Sequence, residues 1–252
     1  MITTDISYGN LPEQKLDLYY AGENSPLFIF FHGGGLEAGS KSGGKSKQFT
    51  ELMNAGISVA DANYRMYPKA KFPDYLEDGA LCTAWCKQNV KHTETYIGGS
   101  SAGGYMTQML AMDPKYLAAH GIDCADKNAI AGYFCDSGQP TVHFNVLRER
   151  GEDTRLVRLD EAAPIWHVKQ VQNPEELPRV ALIVSDNDMY NRLEQNLLLR
   201  RTMLHFGWPE KKVTYTLMEG YKHTGYCGVF REDGSSLYAE MIRSFINGST
   251  IH

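Results

Sequence analysis

YIGGSSAGGYM, residues Tyr96 to Met106, is the stretch on which the reading of this chain turns. It runs from a short strand-like segment, ETYIGGS, into a helix-like one, SAGGYMTQMLAM, despite the glycines. At the junction, Gly99-Ser100-Ser101-Ala102-Gly103 has the form G-x-S-x-G. In that arrangement a serine is held on a tight, strained turn above a sheet. Glycines two residues to either side relieve the crowding, and the helix N-terminus beneath favours developing negative charge. Ser101 is therefore the candidate nucleophile. A register shifted by one, Gly98-x-Ser100-x-Ala102, ends in alanine and fits less well. A glycine- and serine-rich turn without chemistry is the plain alternative, and the flanking strand and helix argue against it.

A serine hydroxyl attacks poorly unless a base removes its proton, and a third group must orient that base. On sheets carrying such an elbow, the acid and then the histidine follow the serine in chain order. The strand-like RVALIVS runs into Asp186-Asn187-Asp188. Asp188, three residues past an expected strand end at Ser185, is the preferred acid. Asp186 is the second choice, and a turn aspartate or a cap for the following helix is the plain alternative for either. The strand-like KVTYTLMEG is followed by YKHTGY, which puts His223 where the base belongs. The other histidines fit worse. His92 precedes the nucleophile. His120, His143 and His167 precede the acid, His205 lies within a helix, and His252 is terminal.

Upstream, LFIFFHGGGLEAG (Leu27 to Gly39) carries five large apolar residues into a histidine and three glycines. Acyl transfer passes through a tetrahedral oxyanion, and backbone N–H groups are fixed donors for it. Side chains would block their approach, and glycine reaches the backbone angles such a loop requires. The N–H groups of Gly34, Gly35 and Ala102 are the expected oxyanion donors. A merely flexible loop is the alternative. His32 reads as a brace for the loop rather than a base.

The rest of the chain alternates strand-like and helix-like segments. KLDLYYA alternates in period two. LFIFF is a continuous apolar run, as for a strand buried on both faces, and GISVADANY is again strand-like. FPDYLEDGALCTAWCKQN has helical spacing with Pro73 near its start, AIAGYFCDSG is a strand, and NRLEQNLLLRRTMLHF and SSLYAEMIRSFIN are helices. Ser235 or Ser236 suits the N-cap of the last. The pattern predicts an α/β chain with a mostly parallel central sheet and helices on both faces, forming one domain over 1–252. The first two strands, with no helix between them, fit an antiparallel edge. Only 139–160 breaks the rhythm, with Arg148, Arg150, Arg155 and Arg158; a small lid or a surface excursion both fit it.

Of 252 residues, 42% are hydrophobic and 22% charged, as in an ordinary globular protein, and the net charge is −5. That balance argues against nucleic acid or an anionic membrane as partner; Lys41, Lys45 and Lys47 lie in a Ser/Gly-rich loop. The start does not read as a signal peptide, and no apolar run approaches the roughly 20 residues of a spanning helix. The five cysteines, an odd number, suggest free thiols and a cytoplasmic location. Cys82 and Cys86 lack further ligands nearby, so no metal is expected, and the triad chemistry calls for no cofactor.

HGGG, NYRMYPKAKFPDYLEDGALCTAW, GGSSAGG, DEAAPIWHV, Asp188 and His223 together resemble the α/β-hydrolase esterases of the hormone-sensitive-lipase-like kind. YGNLPEQKLDLYYA is similar to the N-terminal hairpin of the bacterial feruloyl- and acetyl-esterase-like enzymes. The resemblance covers most of the chain. It implies an α/β-hydrolase fold with a small or absent cap, and a serine carboxylesterase acting on small to medium esters (acetyl, short-acyl or feruloyl-type) through an acyl-enzyme. An amidase, aryl formamidase or small peptidase using the same residues is the alternative, and a non-catalytic ligand-binding hydrolase fold is a third reading. Leu36, Trp166, Met189 and Tyr226 flank the motifs or the variable region and are candidates for lining a substrate pocket. A homodimer through an edge strand or the 139–160 segment is compatible with the sequence.

Overall fold

A computed structural model describes residues 1–41 and 43–251, so His252 lies outside the described residues. LFIFF is the strand β3 (Leu27–Phe31), buried at all five positions as its composition requires. Its alternate side chains feed two cores. Leu27, Ile29 and Phe31 face one, with residues such as Leu76, Met106, Met109 and Leu199. Phe28 and Phe30 face the other, with Phe49, Leu52, Tyr238 and Ile242.

Around β3 the other strands are β1 (Ile2–Ser7), β2 (Lys15–Tyr19), β4 (Ser58–Ala62), β5 (Thr95–Ser100), β6 (Gly132–Asp136), β7 (Arg179–Asn187) and β8 (Val213–Lys222). Among the described residues these eight form one sheet in the order β1-β2-β4-β3-β5-β6-β7-β8. The pairs from β4 to β8 are parallel, and β1–β2 and β2–β4 are antiparallel. The helices are α1 (Ser46–Asn54), α2 (Asp74–Asn89), α3 (Ala102–Met112), α4 (Pro114–Ala118), α5 (Phe144–Glu149), α6 (Arg192–His205) and α7 (Leu237–Ile246). Residues of α2, α3 and α6 belong to the first core and those of α1 and α7 to the second, which puts helices on both faces. This is the α/β-hydrolase fold expected above.

Three details differ from expectation. The antiparallel edge is real, but β2 lies beside β4 rather than β3, and β1 is its outer partner. β1 carries ITTDIS with almost every residue exposed, so it lacks the apolar alternation by which a strand is recognised. β7 runs two residues beyond Ser185, held by β8, and Asp188 follows it directly. The 139–160 segment is not one loop. Gln139 to Leu147 is almost wholly buried and leads into α5, whereas residues from Arg150 to Asp160 are mostly exposed.

α3 is buried along its whole length beneath the sheet's centre. A Cβ at Gly103 would stand 1.9 Å from the Phe31 carbonyl oxygen, and one at Gly104 would stand 2.3 Å from that of Asp136. The glycines that weaken its intrinsic helix preference are what let it lie against the ends of β3 and β6. No described helix is long and apolar enough to cross a membrane. All five cysteines are buried free thiols.

Candidate active site

The carboxyl ends of β3, β5, β6, β7 and β8 lie side by side, where open parallel sheets place their ligand sites. Ser101 stands just past β5 with φ 57° and ψ −111°, a left-handed backbone that is strained for a residue with a side chain. Its N–H donates to the Asp136 carbonyl at 2.8 Å, tying the turn to β6. A Cβ at Gly99 would sit 2.4 Å from the Gly103 backbone, so the two motif glycines pack on each other beneath the serine.

His223 follows β8, and its Nε2 lies 2.7 Å from Ser101 Oγ. Its Nδ1 lies 2.5 Å from Asp188 Oδ1. Asp188 Oδ1 also accepts from the Met189 N–H at 2.7 Å; Oδ2 accepts from Ser137 Oγ at 2.8 Å and from the Ser185 N–H at 3.4 Å. The Asp188 side chain is 1% exposed. Burial alone would raise its pKa. The bond and charge of His223, then the Met189 and Ser137 donors, outweigh this and hold the carboxyl below its ordinary value. Asp186, the second choice for the acid, is exposed and accepts from the Gly220 N–H and the Asn187 amide. The structure brings Asp188 to the histidine and leaves Asp186 on the surface.

The HGGG loop crosses directly over the serine. A Cβ at Gly33 would stand 3.2 Å from Ser101 Cβ, and one at Gly34, whose φ is +121°, would stand 1.9 Å from the Ala38 carbonyl oxygen. Gly34 carbonyl oxygen accepts from Glu37 and Ala38, turning the loop tightly. The N–H groups of Gly34, Gly35 and Ala102 donate to no acceptor among the described residues. His32 is buried and stacks on Tyr64 at 4.4 Å between ring centroids. Burial lowers its pKa to about 4, so the ring is neutral near pH 7 and Nδ1–H donates to the Gly33 carbonyl at 2.7 Å. Outside the loop, Phe144 of α5 abuts Gly35, and Arg148 pairs with Glu37.

Two of the four pocket candidates need correction. Leu36, with φ 64°, and Tyr226 are wholly buried and so cannot line a solvent-facing pocket. Leu36 turns into the core from a tight loop. The Tyr226 hydroxyl reaches down to the Asp136 carboxylate. Met189 is 43% exposed directly beside the acid. Trp166 is 60% exposed on a turn, Pro164–His167; its neighbour His167 helps line a cavity of about 550 Å³ near Ala111 and Met112, at the opposite end of α3 from Ser101.

Ser137, Arg192 and Phe144 escaped the sequence reading although all three stand close to these groups. None carries a motif. The available signal was position: Ser137 follows β6 at the same sheet edge as the other site residues.

The sequence profile of the family BD-FAE matches residues 16–194. Among curated relatives, the tuliposide A-converting enzyme 2 of Tulipa gesneriana is 25% identical over 95% of this chain and 65% of its own length. A putative acetyl-hydrolase, LipR, of Mycobacterium tuberculosis is 31% identical over 72% of this chain and 56% of its own. The first three curated relatives are covered over only 27%, 65% and 28% of their lengths. Among solved structures, the propionate-bound esterase Est2 of Thermogutta terrifontis has a TM-score of 0.72 at 20% identity, covering 98% of this chain and 93% of that one. A carbohydrate esterase from gut microbiota has a TM-score of 0.72 at 17% identity, covering 98% and 95%. With the α/β-hydrolase architecture on one side and a profile match over more than half its length on the other, this chain belongs to the BD-FAE family.

Proposed function

We propose that this protein is a carboxylic ester hydrolase that works through an acyl-enzyme on Ser101. The observation that carries the reading is the continuous hydrogen-bonded chain Ser101–His223–Asp188, with links of 2.7 and 2.5 Å. In this mechanism Ser101 Oγ attacks the ester carbonyl while His223 Nε2 takes its proton. The oxyanion that forms is met by the N–H groups of Gly34, Gly35 and Ala102, which have no acceptor of their own among the described residues. As the intermediate collapses, His223 passes the proton to the leaving alcohol. Water, deprotonated by the same nitrogen, then frees the acid. Asp188 remains ionised throughout and fixes the imidazole so that Nδ1 carries its proton toward the carboxylate. The names of the relatives, an acetyl-hydrolase, an esterase with propionate and a carbohydrate esterase, support small to medium acyl groups.

Ser101→Ala in a chromogenic acetate or butyrate ester assay is expected to lose roughly 10⁴-fold or more in kcat/KM. Activity near wild type would end the assignment. A panel of acetyl, butyryl, octanoyl and feruloyl esters, run beside matching amides, then sets the acyl preference. A preference for octanoyl, or faster amide than ester cleavage, would overturn the short-acyl ester reading.

A further inference from the structure

Asp136 lies at the end of β6 with no exposure to solvent. Three donors converge on its carboxylate: the Tyr226 hydroxyl, the Tyr238 hydroxyl at 2.9 Å and the Cys227 thiol at 3.4 Å. Burial, and then the charge of Asp136, raise both tyrosines well above their ordinary pKa, so both phenols keep their protons and donate them. The Tyr226 proton is thus committed to Asp136. Ser137 Oγ stands 3.3 Å from the Tyr226 oxygen and 2.8 Å from Asp188 Oδ2. Its single proton has one nearby charged acceptor at short range, and that is Asp188. The result is a directed row: Asp136 receives from Tyr226, and Asp188 receives from Ser137.

The main chain of Ser137 is pinned as firmly. Its N–H donates to the Ile183 carbonyl on β7 at 2.8 Å, and its carbonyl accepts from Arg192. Arg192 is itself buried, and its other contacts are neutral, the Gln139 amide oxygen at 3.3 Å and Met189 Sδ at 3.8 Å. Ser137 has φ 49°, a conformation that a side chain disfavours. A strained backbone held by two neighbours, with its hydroxyl aimed at Asp188, is more than core filling requires. We infer that Ser137 is a positioning residue for Asp188, its hydroxyl holding the carboxylate in register for His223. This rests on the Ser101–His223–Asp188 reading above.

The charged and titratable groups around Asp188 are His223, Arg192 and Tyr215, with Tyr226 and Asp136 behind Ser137. Ser137→Gly removes the hydroxyl, keeps the main-chain bonds and relaxes the positive φ. Removing a donor from the carboxylate makes Asp188 a stronger proton acceptor, which favours the protonated imidazole. The expected result is a roughly tenfold loss in kcat/KM. Its acid limb should move up by about 0.5 pH unit, and the melting temperature should hold or rise. Ser137→Ala should show the same limb shift with the strain retained. Wild-type rate and pH profile in Ser137→Gly, beside an inactive Ser101→Ala, would overturn the inference alone. So would a loss of rate with an unmoved profile and a lowered melting temperature. An active Ser101→Ala would bring down the triad reading, and this inference with it.

Discussion

Ser101 and Ser137 occupy matching places on neighbouring strands. Ser100 pairs with Asp136 in the β5–β6 register, and each serine is the next residue on. Both have a left-handed backbone, at φ 57° and 49°, and the N–H of each donates to the carbonyl of the adjoining strand at 2.8 Å. They differ in surroundings. Ser101 is partly open and faces the glycine loop; Ser137 is sealed, with Arg192 on its carbonyl and a tyrosine beside its hydroxyl. The same backbone strain therefore serves two ends. In the proposed mechanism it lifts a hydroxyl toward substrate at Ser101, and at Ser137 it turns one toward Asp188.

The comparison breaks most sharply at Ser101. Ser101→Gly removes the proposed nucleophile and relaxes the turn, so kcat/KM should fall 10⁴-fold or more while stability rises by about 0.5–1 kcal/mol. Chemical denaturation alongside the assay checks both, and a fall in stability would mean that the turn is not strained. Asp188→Asn, which alters the group both serines serve, should cost about 10³- to 10⁴-fold in kcat. It also carries a pH signature. Because the folded carboxyl lies below its unfolded pKa, its stabilisation is present above the unfolded value near 4 and is lost as pH falls through the folded value. The stability gap between wild type and Asp188→Asn should therefore shrink on acidification below about pH 4. A gap that widens instead would refute the depressed carboxyl.

Gly35→Ala probes the loop facing Ser101, for which Ser137 has no counterpart. A Cβ there would meet Phe144 at 3.1 Å on a backbone with φ +65°. A drop of roughly 10- to 100-fold in kcat, with KM little changed, is expected if the loop donates to the oxyanion. The smallest effect belongs to Asp186→Asn. Its carboxylate is exposed and bonded to Gly220 and Asn187, so activity should stay within about twofold. A large loss there would make Asp186 rather than Asp188 the acid.

What could be read in advance followed from residue types with few other uses. A glycine run after a buried apolar strand, a serine between glycines and a histidine after the last strand each restrict the backbone locally, so linear sequence carries them. The alternating apolar segments announced the sheet and its two helical layers. β1 was invisible because an exposed edge strand needs no apolar face, and the β2–β4 pairing was invisible because nothing local specifies a strand's neighbour. Ser137, Arg192 and Phe144 are ordinary residues whose importance comes from what the fold brings beside them. The same holds for Tyr226: its place after His223 suggested a pocket wall, and only the three-dimensional arrangement turns its hydroxyl inward to Asp136. The sequence predicts a strand end at Ser185, whereas β7 runs on to Asn187, which puts Asp188 directly after the strand.

The division of the site across the chain has a consequence for biogenesis. The proposed nucleophile Ser101 and the glycine loop belong to the part made first, whereas Asp188 and His223, the proposed acid and base, arrive with β7 and β8, after the exposed stretch that ends near Asp160. A ribosome-bound chain lacking those last two strands holds Ser101 without its proposed base. In the proposed mechanism turnover thus waits until the sheet is complete, and two fragments cut in that stretch would report their reassembly by its return.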